Sequence, residues 1–353
     1  MITFYPGPSK IYEKIPDYLS EACASDILST NHRSVQFMEM CKKTVELLHT
    51  KLNIPENYSI LFTSSATECW EIISQSFIET GKGSLHTYNG AFGKKWFEYA
   101  FKLNNNSSNF TFKKENEISL STLPDSISKD VICLTQNETS NGTQIHNVQI
   151  KIVQQKYEES LIAVDVTSSL GGIELKWENA DIWFASVQKC LGLPAGMGLL
   201  IVSPRAIEKA KKINDYKFYN SFLFMYENIL KFQTHYTPNV LSIFLLMRVM
   251  EEVENIKEID IKIKKRTTKW FDFFKNHCSL KLLIENNFVR SDTIITITAE
   301  NDEIISEYKK KALLSGIILG NGYGEWIDNT IRIANFPQIN DSEIQKLMEV
   351  LNT

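Results

Sequence analysis

The sequence predicts an α/β protein, and three observations carry that prediction. Short apolar runs rich in Val, Ile, Leu and Phe alternate with longer amphipathic stretches, the pattern of parallel strands joined by helices. Several of the runs are continuously hydrophobic, as expected of strands covered on both faces. With 353 residues, 43% of them hydrophobic, the chain can bury one large core and a smaller second one. Strands are expected near Ser59–Thr63, Ser84–Tyr88, Val131–Thr135, Leu161–Val166, Asp181–Val187 and Leu199–Val202. Asn104–Asn109 reads as a polar loop inside this part, and no repeat or low-complexity tract is found. From about Asn255 the character changes: a Lys-rich amphipathic helix over Ile256–Lys275 leads to a strand at Thr293–Thr298, another helix, and a strand at Thr330–Asn335. The expected division is a large domain over residues 10–254 and a smaller α+β domain over residues 255–353, joined by residues 1–9.

Charge and cysteine usage narrow the classes. A formal charge of −4 gives none of the basic footprint that nucleic-acid binding requires. The six cysteines, Cys23, Cys41, Cys69, Cys133, Cys190 and Cys278, form no CxxC pair. Their scatter argues against a zinc cluster, another metal site or a disulfide framework, and points to a reducing, cytoplasmic setting. The N-terminus lacks the basic start and apolar core of a signal peptide, and the longest apolar runs, such as Val240 to Met247, are too short to span a bilayer. Neither membrane nor nucleic acid is an expected partner.

The chemistry centres on Lys189. It follows the strand-like run Trp183-Phe-Ala-Ser-Val-Gln and precedes Cys-Leu-Gly-Leu-Pro-Ala-Gly-Met-Gly198. An amine leaving such a run is partly desolvated, which disfavours its ammonium form and readies it to attack an aldehyde. The same pattern also describes a lysine that ends a strand in water. Asp165, closing Leu161-Ile-Ala-Val, raises the weight of the first reading, because pyridoxal phosphate chemistry uses a carboxylate at the ring nitrogen and an amine at the aldehyde carbon. In open α/β sheets, ligands sit beyond the carboxyl ends of strands, where both residues would lie. A phosphate cradle is offered by Ile60-Leu-Phe-Thr-Ser-Ser-Ala-Thr67, where a strand runs into small polar residues and a helix start. Thr63 to Thr67 would present free backbone N–H groups and hydroxyls, unless Ser65 or Thr67 is only a helix cap. Neither GxxxxGK[ST] nor a strand-following GxGxxG occurs, so nucleotide sites lack support, and with them a nicotinamide dehydrogenase.

Taken in order, these segments resemble the class V, fold-type I pyridoxal-phosphate aminotransferases, and within them the phosphoserine branch. The resemblance rests on Phe4-Tyr-Pro-Gly-Pro8, Asn31-His-Arg-Ser34, Gly90-Ala-Phe92, Asn137-Glu-Thr-Ser-Asn-Gly142, Asp165-Val-Thr-Ser-Ser169, Gln188-Lys189, Thr237-Pro238 and Arg332. It implies a mainly parallel seven-stranded sheet covered by helices, a smaller C-terminal unit, and pyridoxal 5'-phosphate as cofactor. It further implies that Lys189 bonds the cofactor aldehyde and, once displaced by the substrate amine, moves the Cα proton. Asp165 would pair with the pyridine nitrogen and Phe92, in place of a more usual Trp, would stack on the ring. Thr139 would lie beside the ring, and Ala66, Thr67 and Gln188 would bind the phosphate. Thr237 matches a residue that the family contributes from a partner subunit, which implies a homodimer with shared sites.

For substrate, the resemblance assigns the α-carboxylate to Arg332, whose planar guanidinium can grip it bidentately, and a phosphate group to His32 and Arg33. A second basic pair expected shortly before the carboxylate arginine is replaced by Gly324-Glu-Trp-Ile-Asp-Asn-Thr330, so that Trp326, Ile327 and Asp328 stand where a dianion would be received. The first expectation is amino exchange between O-phospho-L-serine and 2-oxoglutarate. The alternative is serine or alanine with glyoxylate or pyruvate. A cysteine desulfurase is disfavoured because Cys278 lacks the expected surroundings, and a catalytically inactive binding homologue is disfavoured by the joint presence of Lys189 and Asp165.

Overall fold

The main sheet orders its seven strands as Ser59–Thr63, Gly198–Val202, Ile182–Ser186, Leu161–Asp165, Val131–Thr135, Ser84–Tyr88 and Ser108–Thr111. The computed structural model describes residues 1–125 and 127–352, so of the expected second domain only Thr353 lies outside it. Every residue of the four strands from Gly198–Val202 to Val131–Thr135 is buried, which is why these runs read as unbroken apolar sequence. Each of the six expected strands is present to within a residue or so at either end.

Gly198–Val202 is antiparallel to both its neighbours; the other pairings are parallel. The cause is local. A parallel return needs a crossover of a dozen or more residues, usually a helix, and Val187–Met197 contains none. The chain therefore doubles back beside Ile182–Ser186, and the short return carries Lys189. The polar loop expected at Asn104–Asn109 ends sooner than the sequence suggests, because Ser108 and Asn109 begin the edge strand Ser108–Thr111. That edge is only half covered, so its residues carry none of the apolar signal of the central strands.

A second sheet orders Ile2–Phe4, Ile317–Asn321, Thr330–Ala334, Ile294–Thr298 and Lys281–Leu282. Ile2–Phe4 joins it in parallel, three residues being too short to show any periodicity. This sheet has its own core, built from Phe4, Trp270, Ile294, Ile331, Phe336 and Leu347. The helix Ile256–Lys275 serves both cores: Ile256, Ile259 and Ile263 pack into the first, Trp270 and Phe274 into the second.

Asn137-Glu-Thr-Ser-Asn-Gly142 is a tight hairpin between Asn137–Glu138 and Thr143–Gln144 that fastens one sheet to the other. Gly142 has φ +76, donates its N–H to the Glu138 carbonyl at 2.9 Å, and accepts from the Ser291 N–H at 2.9 Å. A Cβ here would stand 2.5 Å from Thr296 Oγ1. Gly81 shares the left-handed conformation, at φ +83, with open space around it. Gly142→Ala is therefore expected to cost about 1–3 kcal/mol and clearly more than Gly81→Ala. Urea unfolding of the two variants side by side checks this, and equal midpoints would mean that the hairpin absorbs the added methyl.

Candidate active site

Three adjacent parallel strands end at Thr135, Asp165 and Ser186, and all three residues line one cavity of about 240 Å³. Its wall also holds Ala66, Thr67, Phe92, Thr139, Gln188, Lys189 and Arg332. The crevice lies beyond the carboxyl ends of the strands, where an open α/β sheet leaves its loops free to form a site.

Lys189 is fixed from several sides. Its Nζ donates to Thr139 Oγ1 at 2.7 Å and Ser168 Oγ at 2.8 Å, and lies 5.1 Å from the centroid of the Phe92 ring. Its own carbonyl accepts from Gln338 Nε2 at 2.8 Å, and the Gln188 carbonyl accepts from the Ser9 N–H at 3.0 Å. The Tyr5–Pro8 segment crosses its aliphatic stem so closely that a Cβ on Gly7 would be 3.0 Å from Lys189 Cε. Burial lowers the amine from the ordinary lysine value to about 8; the Asp165 carboxylate opposes that shift and the Arg332 guanidinium adds to it.

Asp165 is also buried, and burial raises its carboxyl above the usual range, against the backbone N–H of Thr167 donated to Oδ1 at 2.8 Å. Arg332 is 4% exposed and held rigidly, with Nε donating to the Asn321 carbonyl at 2.6 Å and Nη1 to the Thr139 carbonyl at 3.0 Å. Phe92 sits in the first turn of the helix Ala91–Leu103, whose leading N–H groups are taken by the Glu138 carboxylate: Phe92 N at 3.3 Å and Gly93 N at 3.0 Å.

In the strand-to-helix turn the structure has the helix cap that the sequence left open at Ser65. Ser65 caps the helix Ala66–Ser76 by accepting from the Glu68 N–H. The Ser64 N–H and hydroxyl both go to Glu68 Oε2, and the Ala66 N–H goes to Ser186 Oγ at 2.8 Å. Much of Thr63 to Thr67 is thus already bonded, because Glu68 in the first turn is placed to collect the nearest donors. Thr67 is exposed at the cavity wall.

Three expected residues are not brought into this cavity. Thr237 is exposed on the segment before the helix Val240–Glu252. Arg33 reaches that same segment, Nη1 donating to Gln233 Oε1 at 3.1 Å, and His32 beside it stands edge-on to Phe37. Conversely, Ser168, Glu138, Lys95 and Tyr323 belong to the site or its frame without having been singled out. Ser168 and Glu138 lie within segments that the family resemblance covers, whereas Tyr323 had no signal beyond its flanking glycines. Cys278 is exposed and does not line the cavity. Among the described residues no cluster of His, Cys, Asp and Glu could hold a metal ion, and no helix is long and apolar enough to cross a membrane.

A family model for class-V aminotransferases matches residues 6–310. The chain belongs to the class-V aminotransferases. It is a transaminase of the kind that works with pyridoxal 5'-phosphate. The phosphoserine aminotransferase of Corynebacterium glutamicum is 26% identical over 355 residues, covering 97% of this chain and 91% of that protein. The crystal structure of a phosphoserine aminotransferase from Cytophaga hutchinsonii superposes with a TM-score of 0.94 at 32% identity, covering 99% of this chain and 98% of the other. An alanine–glyoxylate aminotransferase from a Nostoc species shares the fold, with a TM-score of 0.84 at 19% identity over 99% and 94% of the two chains. The donor set of this transaminase fits the cofactor: a buried amine of lowered pKa for the aldehyde, a buried carboxylate for the ring nitrogen, and the aromatic face of Phe92 on the same cavity wall.

Only the neutral amine reacts with an electrophile. In the class-V chain without cofactor, acylation of Lys189 followed by mass spectrometry should therefore rise with pH about a midpoint near 8 rather than 10.5. Asp165→Asn removes the charge that holds the proton on, so the midpoint should fall further. Because the folded state binds this proton less tightly than the unfolded chain, the same group makes stability increase with pH between about 8 and 10.5. A midpoint at 10 or above would show the amine to be solvated.

Proposed function

We propose that this transaminase takes its amino group from O-phospho-L-serine and passes it to 2-oxoglutarate, and that it works in the cytoplasm as a homodimer. The observation that carries the reading is the placement of Lys189 and Arg332 in one cavity, an amine for the reacting carbon and a guanidinium for the substrate carboxylate. The phosphoserine donor is supported by the two relatives so named and by Lys95 at the cavity wall.

When bound, pyridoxal phosphate supplies an electron sink that makes the substrate Cα proton acidic. Lys189 would hold the cofactor, Asp165 would face its ring nitrogen, Phe92 would stack on the ring and Thr139 would flank it. Thr67 and Gln188 would hold its phosphate, the exposed Thr67 hydroxyl and backbone being open donors, and Ala66 would join them if its N–H exchanged Ser186 Oγ for a phosphate oxygen. Once the substrate amine has replaced it, Lys189 Nζ is the base that takes and returns the Cα proton. Thr139 and Ser168 keep that nitrogen aimed, and its lowered pKa lets it accept and release a proton near neutrality. Arg332 fixes the α-carboxylate, so that the Cα–H bond is presented to Lys189 rather than to water.

His32, Arg33 and Thr237 complete the site from the partner subunit. None of the three lines its own cavity, and the Arg33–Gln233 bond ties Arg33 to the segment that carries Thr237, so a second copy is the route by which they would reach substrate. On this reading, mixing Lys189→Ala protein, which is inactive, with Arg33→Ala protein, which is weakened towards phosphoserine, and allowing subunits to exchange raises phosphoserine activity above that of the Arg33→Ala protein alone. No recovery would mean that each chain uses only its own residues.

A second reading, serine or alanine with glyoxylate or pyruvate, is favoured by Glu325, Trp326 and Asp328, which stand in place of a basic pair before Arg332. Titration of the yellow holoprotein decides between them. Phosphoserine should bleach its yellow absorption at concentrations at least about tenfold below serine or alanine, the effect of one additional charge-assisted contact. Equal response would favour the second reading, and after borohydride reduction and denaturation the wild type should retain the cofactor covalently on Lys189 whereas Lys189→Ala should retain none.

A further inference from the structure

A cavity of about 370 Å³ adjoins the active-site cavity, with Tyr88, Phe112 and Trp326 on its wall together with the charged Lys94 and Glu325. Among the described residues, Tyr323 is the one that lines both. It is set between Gly322 and Gly324 in the turn that joins Ile317–Asn321 to Thr330–Ala334, and two contacts fix its ring. The ring stacks on Phe92 with centroids 4.8 Å apart and planes 20° from parallel, and the Arg332 guanidinium lies 5.5 Å from its centroid. The turn itself has little freedom: a Cβ on Gly322 would run into the Trp326 carbonyl, and Gly324, at φ +60, lies against Ala91.

From this arrangement we propose that Tyr323 is a specificity-determining residue, the partition that confines the substrate side chain to the small cavity and closes off the partly aromatic space behind it. The inference rests on the transaminase site described above, because it takes Arg332 as the anchor of the substrate carboxylate. An amino acid so anchored presents its side chain beside Tyr323, on one side of the ring that separates the two spaces. A short side chain fits in front of the ring. A long aromatic one needs the volume behind it, which Tyr88, Phe112 and Trp326 line with surfaces suited to a phenyl group. Stacking and cation–π contacts of this size each contribute only about 0.5–1.5 kcal/mol, enough to hold the ring in place and too little to make it essential for folding.

The test uses the holoprotein and 3-phenylpropanoate, a carboxylate with a phenyl group and no amine to react. By calorimetry, Tyr323→Ala should bind it roughly 10- to 100-fold more tightly than wild type, the factor expected for taking an aromatic side chain out of water. The ratio of kcat/KM for phenylalanine to that for alanine should rise by a similar factor, chiefly through KM. Tyr323→Phe keeps the ring and should restore the wild-type ratio, which a merely structural effect of the alanine variant would not predict. Tyr323→Leu, run in parallel, retains contact with Phe92 and opens the space in part, so it decides the matter if the alanine variant does not fold. Equal binding by wild type and a folded small-residue variant overturns the partition. The comparison is independent of the functional reading: in protein that takes no cofactor, the wild-type-to-variant ratio for 3-phenylpropanoate still reports whether the space behind Tyr323 has opened.

Discussion

The structure turns on the burial of one amine beside one carboxylate. Lys189 and Asp165 are each more than nine-tenths buried at the ends of neighbouring strands, and burial acts on them in opposite chemical senses, lowering the lysine and raising the aspartate. Disfavouring the ammonium to the extent seen at Lys189 corresponds to about 3 kcal/mol, a sizeable part of the net stability of any domain. A fold carries such a cost only if the site is held in place by everything around it. The hydroxyls of Thr139 and Ser168, the carbonyl bond from Gln338 and the Gly7 crossing all restrict where the amine can go. None of them offers it a negative charge. The amine is therefore kept hydrogen-bonded yet poorly solvated, the state in which a lysine is a nucleophile near neutral pH.

That state follows from chain topology. Asp165 and Ser186 stand at the ends of parallel strands because buried parallel strands align their carboxyl ends, and Lys189 is drawn to the same edge by the short antiparallel return to Gly198–Val202. Had the chain crossed over through a helix there, the lysine would have been free to leave the crevice with it. The segment that follows the N-terminal strand, through Gly7 and Ser9, and Gln338 then close over the return, so that the backbone around the reactive nitrogen is held from the side of the second sheet. The hairpin at Asn137–Gly142 does the same for Thr139, whose carbonyl holds Arg332 while its hydroxyl holds Lys189.

What the sequence reveals of this architecture is what has a local signature. Ser59–Thr63, Ser84–Tyr88 and Val131–Thr135 are legible because burial on both faces leaves a continuous apolar run, and the helix Ile256–Lys275 because its apolar stripe extends over five turns. Ile2–Phe4 and Ile317–Asn321 escape notice because each is too short or too mixed to show a period, and the edge strand at Ser108 because it carries polar residues suited to a half-exposed place. Lys189, Asp165 and Arg332 stand out through residue type and position at strand ends. The state of the Ser64–Thr67 turn does not, since which N–H groups remain open depends on where the Glu68 carboxylate folds back. Nor does the separation of His32, Arg33 and Thr237 from the cavity, which is a matter of how distant segments pack.

The division of the site between two sheets bears on how such enzymes can differ in substrate. The groups suited to the cofactor come from the strand ends, the lysine-bearing return and the helix starts of the first sheet. Arg332 and Tyr323 come from one strand and one turn of the second. A change in the turn before Thr330 can alter charge or volume near the substrate side chain while leaving Lys189 and Asp165 in the same surroundings. Arg332 is less free to vary, because its two backbone bonds reach both Asn321 and Thr139 and so tie the substrate anchor to the residue that orients the lysine. Substrate preference is thus expected to lie in the Gly322–Asn329 turn, with its acids and aromatics, rather than at the lysine, while the chemistry of the amine and the carboxylate stays in the first sheet.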